Sequence, residues 1–460
     1  MLEKLELYSN SNNVAYINGK SSITYKELWN KARKFARYLS VQGTNSVIVY
    51  GHKSENMIIS FFACIIARRA YVPIDVSVPK ERIDDIIKLS GATLFIKNES
   101  IFINGIDCIS DIDIGCDREV ELVSNNDIAY IIFTSGSTGI PKGVVITYDN
   151  LGNFIGWISN LYTLKNRDNV VVMNQAIYSF DLSVADIYYS LANGHTLVAV
   201  NKSVQENVND LIEIMVREKI NILVMTPTMV KFCLLSESFK SDVISSLDTI
   251  FFCGEILDIK TVMRLKDRFP DLNVINAYGP TEATCAVTGV LVTKEMLNEG
   301  VLPVGDMRYN ATEVFIDSEE IVLSGPSVFK GYLGNGEETV NYHTGDIGYI
   351  KDNLIYCVGR SDNQIKYSGY RIELEDIESN MLTIEGVYEC VVVAVRDRFD
   401  KIIAIKAYVI LHSEISVLEI KDRLSLKLPS YMIPKTIVVM DEMPVNNNGK
   451  YDRKLLSIYE

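Results

Sequence analysis

The sequence predicts an α/β protein: a large amino-terminal domain of parallel-sheet layers, a β-rich subdomain, and a small α+β carboxy-terminal domain. Three observations predict it. Apolar runs of strand length alternate with helix-length stretches up to about Leu302, the pattern of parallel strands with helices on their faces. From there short strands and turns take over, which suits an antiparallel sheet. A polar turn at residues 359–363 then precedes roughly a hundred residues of mixed character. The expected boundaries are 1–361 for the first domain, with its β-rich part at about 302–361, and 362–460 for the second.

Taken in order, VIVYGH (47–52) reads as a strand feeding an apolar helix at about 57–67, and a helix at 79–90 leads into the strand LFI (94–96). The apolar run 128–133 reads as a buried strand that delivers a glycine-rich loop. The helix 208–219 precedes INILVMTP (220–227), and TIFFCGE (249–255) precedes a helix at 259–269 that stops at Pro270. NVINAYGPTE (273–282) is one more buried strand ending in a Gly-Pro turn. EVFIDS, EIVLSG, GYIKDN and LIYCVG supply the short strands of the β-rich part. Beyond them come a helix at 373–381, strands at 391–395 and 404–411, and a helix at 416–426. In parallel α/β sheets ligands sit beyond the carboxyl ends of the strands, where the glycine-rich loop, the CGE turn and the YGPTE turn all fall.

Composition narrows the function. A chain of 460 residues exceeds one ordinary core. Its net charge of −14, without a basic cluster, argues against nucleic acid and anionic membranes as partners. The amino terminus lacks a signal-peptide pattern, and the longest apolar stretch is too short to span a bilayer; a cytoplasmic protein with no membrane insertion is expected. The cysteines (Cys64, Cys108, Cys116, Cys233, Cys253, Cys285, Cys357 and Cys390) form no CxxC pair, so reduced, mostly buried thiols are expected. His52, His195, His343 and His412 form no zinc motif.

The segment TSGSTGIPKG (134–143) carries the chemistry. Its glycines let backbone amides approach an anion, its hydroxyls add donors, and Lys142 adds a charge. It is not a Walker loop, which would need Gly at Pro141 and Ser or Thr at Gly143. It resembles the phosphate loop of the adenylate-forming superfamily. Further motifs follow in that superfamily's order: ITYKEL (23–28), RAYVPIDVSVPKERI (69–83), SFDLSVADIYYSL (179–191), NAYGPTEAT (276–284), YHTGD (342–346), GRSDNQIKYSGYRIELEDIE (359–378), LPSYMIP (428–434) and NGKYDRK (448–454). The resemblance covers almost the whole chain and implies the adenylate-forming fold, with the carboxy-terminal domain as a mobile lid hinged at Asp362.

The resemblance implies a role for each motif. ATP would be bound by Thr134, Ser135, Gly136, Ser137, Thr138, Gly139 and Lys142 around its phosphates, and by Asn276, Ala277, Tyr278, Gly279, Pro280 and Thr281 around its base and α-phosphate. Tyr278 would stack on adenine, and Asp346, helped by Arg360, would accept hydrogen bonds from the ribose. Glu282 would hold magnesium, as a hard carboxylate donor suits that ion, with Thr281 beside it. Lys450 would bridge the substrate carboxylate and the charge developing at phosphorus. The loop around Gly369 would replace it in a second, thioester-forming step.

Asp181 bears on the acid. In amino-acid adenylation domains the Asp of FDxS pairs with the substrate's α-ammonium, a partner that offsets the cost of burying a carboxylate. A helix cap is the other reading of the same residue. Closer likeness is to the D-alanine–D-alanyl carrier protein ligase family, in which the residue matching Cys253 lines the pocket beside the α-carbon; a plain core cysteine remains the alternative. Ala185 stands where that family has Met and Cys285 where it has Val, so a residue larger than alanine is admitted. The link from Met307 to Ile321 is also shorter than in that family. The expected reaction is ATP- and magnesium-dependent activation of a small amino acid, D-alanine first, and its transfer to a phosphopantetheinylated carrier protein in trans. A nonribosomal-type enzyme for another small amino acid and a non-catalytic binding module are the alternatives.

Overall fold

A computed structural model of the chain describes residues 2–458 apart from 20, 44, 98–100, 104, 105, 109–122, 137, 165, 166, 336–338, 368, 398–401 and 446–450. It divides into two compact units: Met1–Asp75, Ser90–Ile132 and Gly143–Ser361 form the first, and Val76–Leu89, Phe133–Lys142 and Asp362–Glu460 the second.

The main sheet of the first unit runs in the order Thr288–Leu291, Asn273–Tyr278, Thr249–Phe252, Ile222–Met225, Val171–Asn174, Thr196–Ala199, Val14–Asn18, Ser21–Thr24. Its interior neighbours are all parallel, and only the two outermost strands pair antiparallel. Thr249–Phe252 and Ile222–Met225 are buried along their whole length, as strands covered on both faces must be. The helices Val208–Arg217 and Ile259–Arg268 bury one apolar stripe each and begin at side-chain caps, Asn207 and Asp258. Helix Leu182–Ala192 differs: every one of its residues is buried. Polar groups on it must therefore find partners inside the protein or from a ligand.

A second sheet orders Ile106–Cys108, Ile101–Ile103, Leu94–Lys97, Ser46–Tyr50, Ala70–Ile74, Ile128–Thr134 and Lys142–Thr147. A five-stranded sheet of Gly305–Asp306, Leu354–Arg360, Asn341–Lys351, Glu320–Ser324 and Glu313–Asp317 is antiparallel throughout. YHTGD and the first four residues of GYIKDN belong to one strand, Asn341–Lys351, irregular between Ile347 and Gly348. The link expected to be short after Met307 contains a tight hairpin whose Ser318 and Glu319 both take positive φ, 51° and 71°, the backbone twist a two-residue turn requires.

Within the second unit, strands Val387–Arg396, Ile402–Leu411 and Thr436–Val439 form a sheet against which helices Leu374–Leu382 and Val417–Ser425 bury their apolar faces. Arg453 ties the end of the chain to this core, donating to both oxygens of Glu378 at 2.6 and 2.8 Å and to the Val392 carbonyl at 2.7 Å. The described cysteines Cys64, Cys233, Cys253, Cys285, Cys357 and Cys390 are all free thiols, Cys357 alone being partly exposed. No described helix is long and apolar enough to cross a membrane.

Candidate active site

The predicted residues fall on both units. Asp181, Ala185, Cys253, Asn276 to Glu282, Cys285, Asp346 and Arg360 belong to the first, and Thr134 to Gly139, Lys142, Asp362 and Gly369 to the second. Lys450 and Ser137 lie outside the described residues.

In the first unit, strand Asn273–Tyr278 ends at a buried tyrosine. Its hydroxyl donates to Asp346 Oδ2 at 2.6 Å, and Arg360 Nη1 donates to Asp346 Oδ1 at 2.7 Å. Asp346 and Arg360 face each other across neighbouring strands, so sheet register alone brings them together. Burial, and then the Asp346 charge, hold the Tyr278 phenol well above its usual range. Tyr278 therefore stays a neutral donor. Each Asp346 oxygen keeps acceptor capacity beyond these bonds. The Asn276 amide donates to the Pro303 carbonyl at 2.8 Å. Gly279 has no room for a side chain: a Cβ there would lie 2.6 Å from Ala286 Cα.

The 3₁₀ turn Thr281–Ala283 follows, with Thr281 and Glu282 both buried. Glu282 Oε1 accepts a 2.7 Å hydrogen bond from Tyr332, a residue the sequence motifs did not mark. The strap that carries Tyr332 also binds the Glu282 carbonyl through the Phe329 amide at 2.8 Å. A single fixed, buried carboxylate fits magnesium, which is commonly held by one or two carboxylates plus phosphate oxygens and water. Among the described residues no cluster of three or more His, Cys, Asp or Glu could hold a metal alone.

The residues expected to meet the amino acid include two at helix Leu182–Ala192, Asp181 and Ala185. Asp181 occupies the N-cap position, but its side chain makes no capping hydrogen bond. It is 8% exposed, so capping does not explain its burial. Ala185 is fully buried one turn further on. Cys253, just beyond strand Thr249–Phe252, donates through Sγ to the Cys285 carbonyl at 3.6 Å. Hydrogen bonding with Cys253, then burial, hold the Cys285 thiol well above the usual range, with the Asp181 charge adding to the effect. Thr284 and Cys285 both take positive φ, 58° and 76°, costly for residues with a side chain. Tyr130 is a residue the sequence reading missed. It is fully buried, feels the charge of Asp181, and its hydroxyl has no hydrogen-bond partner among the described residues. Within an apolar strand nothing in the sequence distinguishes it from core.

In the second unit, the glycine-rich loop begins with Ser135, whose Oγ donates to the Arg371 carbonyl at 3.2 Å and accepts from the Glu373 amide at 3.1 Å. Gly136 admits no side chain, since a Cβ would lie 2.2 Å from the Ile140 carbonyl oxygen. Gly139 has φ +80° and would press a Cβ to 2.9 Å from Ser379. Thr138 is exposed, and Lys142 is half-buried. Gly369 takes φ +85° in the turn between strands Gln364–Tyr367 and Tyr370–Glu373. Asp362 opens the last segment of the unit and accepts from the Gln364 backbone amide at 3.2 Å.

Residues 6–333 match the family model of AMP-binding enzymes, and residues 376–450 match that of the AMP-binding enzyme C-terminal domain. A D-alanine--D-alanyl carrier protein ligase of Listeria monocytogenes serotype 4a is 40% identical over 480 residues, covering 95% of this chain and 94% of its own. The Bacillus licheniformis protein of that name is 37% identical over 497 residues, covering 99% and 98%. Among solved structures, the Vibrio cholerae adenylation domain AlmE, in complex with glycyl-adenosine-5'-phosphate, superposes with a TM-score of 0.84 at 22% identity, covering 99% of this chain and 96% of that one. The fold is thus the adenylate-forming one, and the chain belongs to the AMP-binding enzyme family, with D-alanine--D-alanyl carrier protein ligases as its homologues.

Proposed function

We propose that this protein is a ligase that activates D-alanine with ATP and passes it to the phosphopantetheine thiol of a separate carrier protein. The observation that carries this reading is the buried Asp181, which does not cap its helix and stands beside the Cys253–Cys285 pair. A buried carboxylate at this position suits the α-ammonium of an amino acid. The homologues named above support the choice of acid and acceptor.

In the first half-reaction a carboxylate oxygen of the amino acid attacks the α-phosphorus of ATP, and pyrophosphate leaves. Tyr278, Asp346 and Arg360 hold the nucleoside, while Asp181 fixes the ammonium and aims the carboxylate. Thr134 to Gly139 and Lys142 receive the departing phosphates, and Lys450 balances charge between two approaching anions. Glu282, oriented by Tyr332, would hold magnesium, which supplies charge neutralisation at the phosphates. In the second half-reaction the carrier thiol attacks the acyl carbon and AMP leaves. The domain from Asp362 onward acts as the lid that exchanges Lys450 for the Gly369 loop between the two steps. The reaction belongs in the cytoplasm, where ATP is supplied.

Amino-acid-dependent pyrophosphate exchange across D and L series tests the reading. D-Alanine should give the highest kcat/KM, with weaker exchange on D-serine and D-2-aminobutyrate, because Ala185 is a smaller side chain than the Met expected there. An L-amino acid that outruns every D-isomer would move the protein to a nonribosomal-type activity with the same chemistry.

A further inference from the structure

Lys53 is a buried cation that the reaction above leaves unused. Only 4% exposed, it follows strand Ser46–Tyr50. Its Nζ donates to the Asn174 carbonyl at 2.9 Å, to Asn174 Oδ1 at 2.8 Å and to the Ala176 carbonyl at 2.6 Å. All three ammonium protons are thereby engaged. The Tyr178 ring lies 4.8 Å away, and its hydroxyl donates to Asn174 Oδ1 at 2.9 Å while bonding the Tyr16 hydroxyl at 3.0 Å. The other end of the Asn174 amide donates to Asp186 Oδ1 at 2.9 Å. Burial pushes the Lys53 ammonium down to about 7 and the Asp186 carboxyl up to about 7, and each charge opposes the shift of the other. An ammonium held this way depends on every oxygen that replaces its water.

These contacts bracket one segment. Asn174 closes strand Val171–Asn174, Asp186 lies inside helix Leu182–Ala192, and between strand and helix runs an irregular loop whose last residue is Asp181. The loop is held by a backbone turn bond from the Phe180 amide to the Ile177 carbonyl at 3.0 Å, by Gln205 on the Gln175 carbonyl at 2.7 Å, and by Lys53 on Asn174 and the Ala176 carbonyl. We propose that Lys53 is the positioning residue for Asp181: with Asn174, Tyr178 and Asp186 it holds this loop so that the carboxylate meets the substrate ammonium. This rests on the proposed amino-acid-activating function. A brace with a purely structural role would affect stability and both substrates alike.

The experiment compares the wild type, Lys53→Met and Tyr178→Phe in D-alanine-dependent pyrophosphate exchange, with ATP titrations and thermal melting alongside. Lys53→Met should raise the D-alanine KM by about 10-fold or more while the ATP KM stays within about 2-fold. Tyr178→Phe, which removes one hydroxyl and no charge, should raise it by about 3-fold. An unchanged D-alanine KM in folded Lys53→Met, or equal losses for both substrates, overturns the inference. Should Lys53→Met not fold, Tyr178→Phe decides: a selective rise supports the inference and an unchanged KM overturns it. A wild type that exchanges pyrophosphate with no amino acid overturns the proposed function and this inference together, whereas an active wild type with unaffected variants overturns the inference alone.

Discussion

The proposed nucleotide side and the proposed amino-acid side of the first unit handle the burial of polar groups in different ways. Around Asp346 the protein supplies its own partners, Tyr278 and Arg360, at 2.6 and 2.7 Å. Around Asp181 the arrangement differs: the buried carboxylate does not cap its helix, and the Tyr130 hydroxyl has no hydrogen-bond partner among the described residues. A self-paired site is preorganised for a substrate shared by the whole family. A site completed by its ligand discriminates, because a ligand lacking the matching group leaves buried polar atoms unpaired. On the proposed function, specificity belongs to the Asp181 side.

Four substitutions would break or sharpen this contrast, beginning with the largest effect. Asp181→Asn should lower amino-acid kcat/KM by about 100-fold, roughly 3 kcal/mol, because the ammonium loses its counter-charge in a buried site. The ATP KM should hardly move; a variant with the wild-type amino-acid KM would make Asp181 a structural residue.

His195 serves as a control, being a buried polar group that no substrate completes. Its Nδ1 has no partner among the described residues, and burial pushes its imidazole down to about 4. The unfolded chain, with an ordinary histidine near 6.5, takes up the proton first. Stability should thus fall as pH drops from about 6.5 towards 4, by at most about 3 kcal/mol. Urea unfolding of the wild type and His195→Gln across that window measures it, and parallel pH dependences would exclude His195 as the cause.

If Ala185 faces the substrate side chain, Ala185→Met should reduce exchange on D-2-aminobutyrate relative to D-alanine by about 10-fold. No change in that ratio would place Ala185 away from the substrate. The smallest effect belongs to the self-paired side. Tyr278→Phe removes one donor from a carboxylate that keeps Arg360, so the ATP KM should rise about 5-fold, near 1 kcal/mol, with the D-alanine KM unchanged. A larger effect on D-alanine than on ATP would erase the distinction between the two sides.

Much of this was legible in the sequence, for physical reasons. Strand-then-helix alternation exposes parallel sheets, and Thr249–Phe252 and Asn273–Tyr278 lie within the runs expected of them. Motifs such as YGPTE and YHTGD locate Tyr278 and Asp346, but only strand register pairs Asp346 with Arg360. What the sequence hid were partners far apart in the chain. Lys53 meets Asn174 across 121 positions and Tyr332 meets Glu282 across 50, distances at which no periodicity operates. Tyr130 was hidden differently, as one aromatic in the apolar strand Ile128–Thr134. The capping reading of Asp181 was sound on sequence alone, because an Asp before a helix normally caps it; here the side chain does not.

The central claim of the proposed function, that the substrate ammonium pairs with Asp181, is tested most directly by offering the wild-type enzyme D-alanine and propionate in the same pyrophosphate-exchange assay. Propionate has the same carboxylate and carbon chain and lacks only the amine. The account predicts a kcat/KM for D-alanine at least about 100-fold above that for propionate. Equal turnover of the two would contradict it.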